Sequence, residues 1–157
     1  MPNAYILIGI PGSGKSTWVA KQPFDWDKTV IASSDGHIEK YAQSQGKTYS
    51  DVFKDYVPTA LKLMDASVKD AIEKNLDIVW DQTNTSIGAR AKKLKTIPSN
   101  YKKIAVVFPT PSPTELSRRL ASRPGKSIPA DVIANMISQF QEPSEREGFD
   151  KIIYVRN

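Results

Sequence analysis

A chain of 157 residues, 39% hydrophobic and 25% charged, has the size and composition of one globular domain, expected to span residues 1–157. Without cysteine it has no disulfide, thiol nucleophile or cysteine-ligated metal, and its single histidine, His37, excludes a multi-histidine cage. Lysine and arginine total 22 against 17 acids, and the net charge of +5 suits an anionic partner or serves only solubility.

The longest apolar stretch, Tyr5–Ile10, is far below the roughly 18 residues a membrane span needs. Met1-Pro2-Asn3 lacks the positive start of a secretory leader, so a cytoplasmic protein with no membrane partner is expected. Short runs rich in Val and Ile predict buried strands at Ala4–Ile10, Thr29–Ser33, Asp77–Trp80, Ile104–Phe108 and Lys151–Val155. Between them lie helical patterns. Ser50–Asn75 spaces Phe53, Val57, Ala60, Met64, Val68 and Ile72 three or four apart, with Pro58 expected to kink or divide the helix. Thr85 or Ser86 can cap the next helix, and Ser112-Pro113-Thr114-Glu115 is a capping box with proline at the first helical position. Pro129 starts another, with Val132, Met136, Ile137 and Phe140 on its apolar side. Strands alternating with helices give an α/β fold around a parallel sheet.

Gly9-Ile10-Pro11-Gly12-Ser13-Gly14-Lys15-Ser16-Thr17 matches the phosphate-binding P-loop, with a strand before it and a helix after it. Backbone N–H groups of such a loop, here at Gly12, Ser13, Gly14, Lys15, Ser16 and Thr17, curl around a phosphate. Lys15 can reach the β- and γ-phosphates, and the Ser16 hydroxyl can ligate Mg²⁺. A nucleoside triphosphate is therefore the expected ligand.

An Asn-Lys-x-Asp base-reading motif of GTPases is absent, and a compact P-loop chain favours a small phosphotransferase. Asp35, just past the second strand, can accept a proton from an attacking hydroxyl or can serve as a helix cap. Asp81 ends an apolar strand as a Mg²⁺-holding acid does, or caps that strand, and Gln82-Thr83-Asn84 follow at the same sheet edge. Arg118, Arg119 and Arg123 follow the fourth strand on a helix, where Arg119 and Arg123 share a face. They fit a phosphate-closing lid over approximately residues 115–140, or a solvated charged face. Arg90, Lys92, Lys93, Lys95, Lys102 and Lys103 could track a nucleic-acid backbone or form an outer face. Trp26 and the tyrosines could stack bases, with Trp18 and Trp80 nearer the core.

Together these residues resemble the P-loop polynucleotide 5′-hydroxyl kinases of the phage T4 type, within a wider family of small P-loop kinases. The likeness runs from Gly9–Trp18 through Asp35, Asp81-Gln82-Thr83-Asn84 and Arg119–Val132 to Glu147-Gly148-Phe149-Asp150. It implies a three-layer sandwich with sheet order 2-3-1-4-5 and a helical lid. It also implies ATP as donor with Mg²⁺, and DNA or RNA 5′-hydroxyl ends as acceptors. In that resemblance Asp35 is the general base, Lys15 and Ser16 serve the ATP phosphates and metal, and Arg123, with Arg119, stabilises the transferring phosphoryl group. Asp81, Thr83 and Asn84 lie at the acceptor. Ile38 departs from it, standing where the resembling enzymes have an arginine that grips the acceptor's phosphate. No room remains for the phage enzyme's phosphatase domain, so a separate phosphatase or ligase partner is implied. The rival readings are a kinase of nucleosides, nucleotides or other metabolites, and an ATP-binding switch without an acceptor.

Overall fold

Strict alternation of apolar side chains assigns the two faces of the sheet. The computed structural model describes residues 1–123, 126 and 128–156. Its strands are β1 (Asn3–Ile8), β2 (Thr29–Ala32), β3 (Asp77–Trp80), β4 (Lys102–Val107) and β5 (Lys151–Tyr154). Ala4, Ile6 and Ile8 point to one side with Ile78, Trp80, Ala105 and Val107, while Leu7 points to the other with Val79, Ile104 and Val106. Burial on both faces is why these segments read as continuous apolar runs rather than as alternating ones.

The strands are all parallel and lie in the order β2-β3-β1-β4-β5. Ile6 pairs with Trp80 on one side and Ala105 on the other, so β1 is the central strand. The helices are α1 (Lys15–Lys21), α2 (Ser34–Ser44), α3 (Tyr49–Glu73), α4 (Ile87–Thr96), α5 (Pro113–Ala121) and α6 (Ala130–Ser138). Met64, Val68 and Ala71 of α3 and Leu94 of α4 cover one sheet face. Val19 of α1 covers the other, with Trp18, Phe24 and Tyr5 packed edge to face beside it. Each fully buried Ile, Leu or Val contributes about 1.5–3 kcal/mol. Layers of helix, sheet and helix make this the α/β P-loop kinase fold. No helix among the described residues is long and apolar enough to cross a membrane.

Several local expectations need correction. Helix α3 runs unbroken from Tyr49 to Glu73 with Pro58 inside it. Pro58 sits on the exposed side, so the Lys54 carbonyl that it deprives of an N–H can turn to water. Helix α2 carries only two buried residues, Ile38 and Ala42, too few to mark a helical stripe in the sequence. Arg90, grouped above with a basic face, is fully buried. Its Nε donates to Glu147 Oε1 at 2.8 Å, Nη2 to Glu147 Oε2 at 3.2 Å, and Nη1 to the Asn84 carbonyl at 3.0 Å. Lys93 is also drawn inward, donating to Asn84 Oδ1, and burial pulls its ammonium pKa down to about 8. Neither side chain can join a nucleic-acid track.

The Arg90–Glu147 pair ties α4 and the end of β3 to the segment that leads into β5. Glu147→Ala should leave a buried guanidinium without its carboxylate and lower the unfolding free energy by about 3–5 kcal/mol. Urea denaturation reads this directly. A loss in the range of an exposed ion pair, under about 1 kcal/mol, would show that the pair does not hold the two segments together.

Candidate active site

Parallel strands present their carboxyl ends on one edge, and the loops leaving β1, β2 and β3 there build the site. Gly9 begins the first loop because a Cβ would stand 2.5 Å from Ser13 Oγ and 2.9 Å from Phe108 Cβ. Gly12 has φ +83°, and a side chain there would press on Leu116 of α5 at 3.1 Å. The loop therefore closes tightly on itself and on α5 together. Lys15 turns back over it, donating to the carbonyls of Gly9 and Ile10, each at 2.9 Å. Burial lowers its pKa to about 8, against the raising pull of Asp81. Ser16 and Thr17 are exposed at the start of α1.

The loop forms the floor of a cleft of about 990 Å³. Gly12, Ser13, Gly14, Lys15, Ser16, Thr17, Asp35, Asp81, Thr83, Arg119 and Arg123 all line it. Asn84 does not. It is 2% exposed, with Nδ2 donating to the Leu7 carbonyl at 2.7 Å, and Lys93 holds its Oδ1. Its φ of 49° turns the chain from β3 toward α4, so Asn84 is a brace for the sheet edge and the acceptor assignment is corrected.

Asp35 lies in the first turn of α2, but Ser33 does the capping, accepting from the Gly36 N–H at 3.1 Å. The Asp35 carboxylate is thereby free for another partner, and Tyr49 Oη donates to its Oδ1 at 2.5 Å. Burial, then this hydrogen bond, raises the Tyr49 pKa, keeping the phenol protonated as a donor. Asp81 follows β3 directly, its N–H held by the Ala32 carbonyl at 2.9 Å. Burial raises its carboxyl pKa, partly opposed by Lys15. A nearby dication would relieve that desolvated carboxylate.

The arginines reach the cleft from two different pieces of backbone. Arg119, on α5, donates to Glu115 Oε1 at 2.8 Å and to the Gly12 carbonyl at 2.9 Å, fastening α5 to the phosphate loop. Arg118 also lines the cleft, but its side chain is largely exposed and pairs with Glu115. Hydrogen bonds from Arg118 and then Arg119 hold the Glu115 carboxyl down to about 2. Arg123 lies beyond the end of α5 rather than on it, since the helix stops at Ala121. Its buried Nη1 has no hydrogen-bond partner among the described residues, a costly arrangement that an anion in the cleft would satisfy. Ile10, Leu116 and Ile133 form a small core that holds α5 and α6 against the loop. The tip between these helices, where Pro124-Gly125-Lys126 is expected to break the helix, lies partly outside the described residues, which include Lys126 but not Pro124, Gly125 or Ser127.

Tyr49, Glu39 and Lys126 are among the cleft residues that the sequence did not single out for the site. Lys126 pairs with Glu39 of α2 and sits 4.6 Å from the centre of the Tyr49 ring, beside the Tyr49–Asp35 hydrogen bond. Only Tyr49 had a local signal. Thr48 and Asp51 form a capping box that sets Tyr49 in the first turn of α3. Of the tryptophans, Trp80 is buried and cannot stack a base, Trp18 lines the cleft, and Trp26 is half exposed.

Residues 5–143 match a family model described as an AAA domain, and the chain belongs to that family of P-loop kinases. A chain of the Pnkp1/Rnl/Hen1 RNA repair complex is 27% identical, with a TM-score of 0.69 over 88% of this chain. This chain spans only 43% of that chain's length. A protein from Chloroflexus aurantiacus matches over 98% of this chain and 84% of its own, with a TM-score of 0.70 at 17% identity. Shikimate kinase from Acinetobacter baumannii, solved with shikimate, matches over 100% of this chain and 85% of its own, with a TM-score of 0.56 at 16% identity. These last two share the fold.

Lys15 supplies a pH test of the cleft. A phosphate binds the charged ammonium, so ATP affinity should be full below the Lys15 pKa and decline as pH rises through about 8. Calorimetric Kd values for ATP across that range should rise in the native protein, while Lys15→Ala should bind weakly with no such step. A flat native profile would contradict the placement of Lys15 on the phosphates.

Proposed function

We propose that this P-loop kinase domain transfers the γ-phosphoryl group of ATP to the 5′-hydroxyl of a DNA or RNA end. The observation that carries the reading is the position of Asp35. Its side chain lies in the wall between the phosphate cleft and a second pocket of about 440 Å³, and lines both. A base at that junction can meet a hydroxyl on one side and a phosphoryl group on the other. The acceptor class is supported by the 27% identity to a chain of an RNA repair complex and by the net charge of +5.

In this reaction Asp35 takes the proton of the acceptor hydroxyl while Tyr49 holds the carboxylate in place. The hydroxyl oxygen attacks the γ-phosphorus, and the bond to the bridging oxygen breaks, leaving its electron pair on ADP. Lys15, released from the Gly9 and Ile10 carbonyls, moves onto the phosphate oxygens, and Arg119 and Arg123 neutralise the charge that spreads there. Among the described residues no three His, Asp or Glu side chains converge on one point, so a protein cage for a metal is absent from them. Ser16 and the desolvated Asp81 nevertheless fit Mg²⁺, which commonly takes one or two protein oxygens beside substrate phosphates. When bound there it would neutralise charge on the β- and γ-oxygens. α5 and α6 then act as the lid.

A metabolite hydroxyl is the second reading, favoured by Ile38. Where the resembling enzymes have an acceptor-gripping arginine, this side chain is 1% exposed and packed against α3.

With γ-labelled ATP and Mg²⁺, a 5′-hydroxyl oligonucleotide should acquire label and its 5′-phosphorylated twin should not. Label on neither strand would overturn the polynucleotide reading. Asp35→Ala should lower turnover by about 10²–10⁴-fold and leave the ATP Kd nearly unchanged. Near-native turnover in that variant would remove Asp35 from the role of base.

A further inference from the structure

The two pockets that share Asp35 differ sharply in chemistry. Lys15, Arg119, Arg123 and Lys126 all line the phosphate cleft. The second pocket has neither lysine nor arginine among its described lining residues, and its charged groups are the carboxylates of Asp35 and Asp81. A phosphate placed there would face two like charges in a partly desolvated site, with no lysine or arginine among the described lining residues to bind it. Its walls are apolar: Phe53 and Val57 from α3, Val132 and Met136 from α6, and Ile128 between the helices. Phe53 is 44% exposed and Val132 38% exposed, an apolar pair left open at the same mouth. The neutral polar groups Ser34, Gln82 and Thr83 lie on the strand-end side, where Gln82 Nε2 donates to Ser34 Oγ at 3.1 Å. A volume of about 440 Å³ falls in the range of small-molecule sites. Its described lining suits a flat, uncharged ring, with Tyr49 and Ser50 of α3 as further neutral polar residues beside Asp35.

We propose that the acceptor is held in this pocket through a neutral ring system, the base-and-sugar end of a nucleoside, and that the protein makes no use of the phosphate following the reacting hydroxyl. This rests on the 5′-hydroxyl kinase reading and adds to it what is recognised. Phe53 supplies the ring contact, Val132 and Met136 close over it, and Ile38 adds an uncharged apolar side chain to the same lining. A free nucleoside is then as complete an acceptor as a strand end.

The test compares adenosine, adenosine 3′-monophosphate and a 5′-hydroxyl hexanucleotide as acceptors, using kcat/KM with native protein, ATP and Mg²⁺. A gripped phosphate would favour the 3′-monophosphate by about tenfold or more, since hydrogen bonds to charged groups are worth that much. A difference below about tenfold supports a phosphate-blind pocket. A larger preference for either phosphate-bearing acceptor overturns it while leaving the kinase reading intact. Transfer to none of the three overturns the 5′-hydroxyl reading itself, and this inference with it. Phe53→Ala separates the ring contact from general damage. It should raise the KM for adenosine by about tenfold, as loss of an aromatic stacking partner does, without moving the KM for ATP. An unchanged adenosine KM would overturn the role given to the ring.

Discussion

The parallel pairing of β2, β3 and β1 brings three strand ends side by side, and the chemistry of the protein hangs from that shared edge. β1 delivers the phosphate loop, β2 delivers Asp35 at the first turn of α2, and β3 delivers Asp81. Backbone hydrogen bonds lock the ends to one another. The Gly9 N–H reaches the Thr83 carbonyl, and the Asp81 N–H reaches the Ala32 carbonyl, both at 2.9 Å. A one-residue slip in any of these pairings would turn a reacting side chain to the opposite face. Buried Arg90 and Asn84 support the edge from behind, which explains why so polar a pair belongs to the interior.

Charge is sorted across that edge. Of the two pockets, the phosphate-loop cleft alone is lined by described lysines and arginines, whereas the carboxylates of Asp35 and Asp81 line both it and the second pocket. The loop's own carbonyls and Glu115 engage Lys15 and Arg119, while a buried donor of Arg123 has no partner among the described residues. A triphosphate would exchange these weaker partners for charge-assisted ones.

Most of the frame was legible from periodicity and capping, because those signals are local. The apolar runs marked all five strands to within about two residues. Ser112-Pro113-Thr114-Glu115 marked the start of α5, and the loop motif marked its own strand and helix. What escaped depends on contacts between distant segments. Nothing near Tyr49 says that α3 begins beside Asp35, and nothing near Lys126 names Glu39 as its partner. Arg90 reads as a surface cation until Glu147, which no local pattern links to it, is brought alongside. Asn84 looked like part of a polar site because it adjoins Asp81 and Thr83. A positive φ and two inward hydrogen bonds turn it toward the sheet instead.

β1 stands in the middle of the sheet, yet it is synthesised before either neighbour. On a growing chain its apolar residues, Ile6, Leu7 and Ile8, have no strand on one side until residues 77–80 emerge and none on the other until 102–107 follow. Over that interval an unpaired, largely hydrophobic strand is open to pairing with the wrong chain, the hazard that makes such intermediates clients of chaperones. The phosphate loop is likewise translated early and aimed late, since Arg119 arrives only with α5. The ATP proposed as donor would therefore discriminate between a finished molecule and a partial one, and by binding the finished state alone it would draw late-folding chains toward it by mass action.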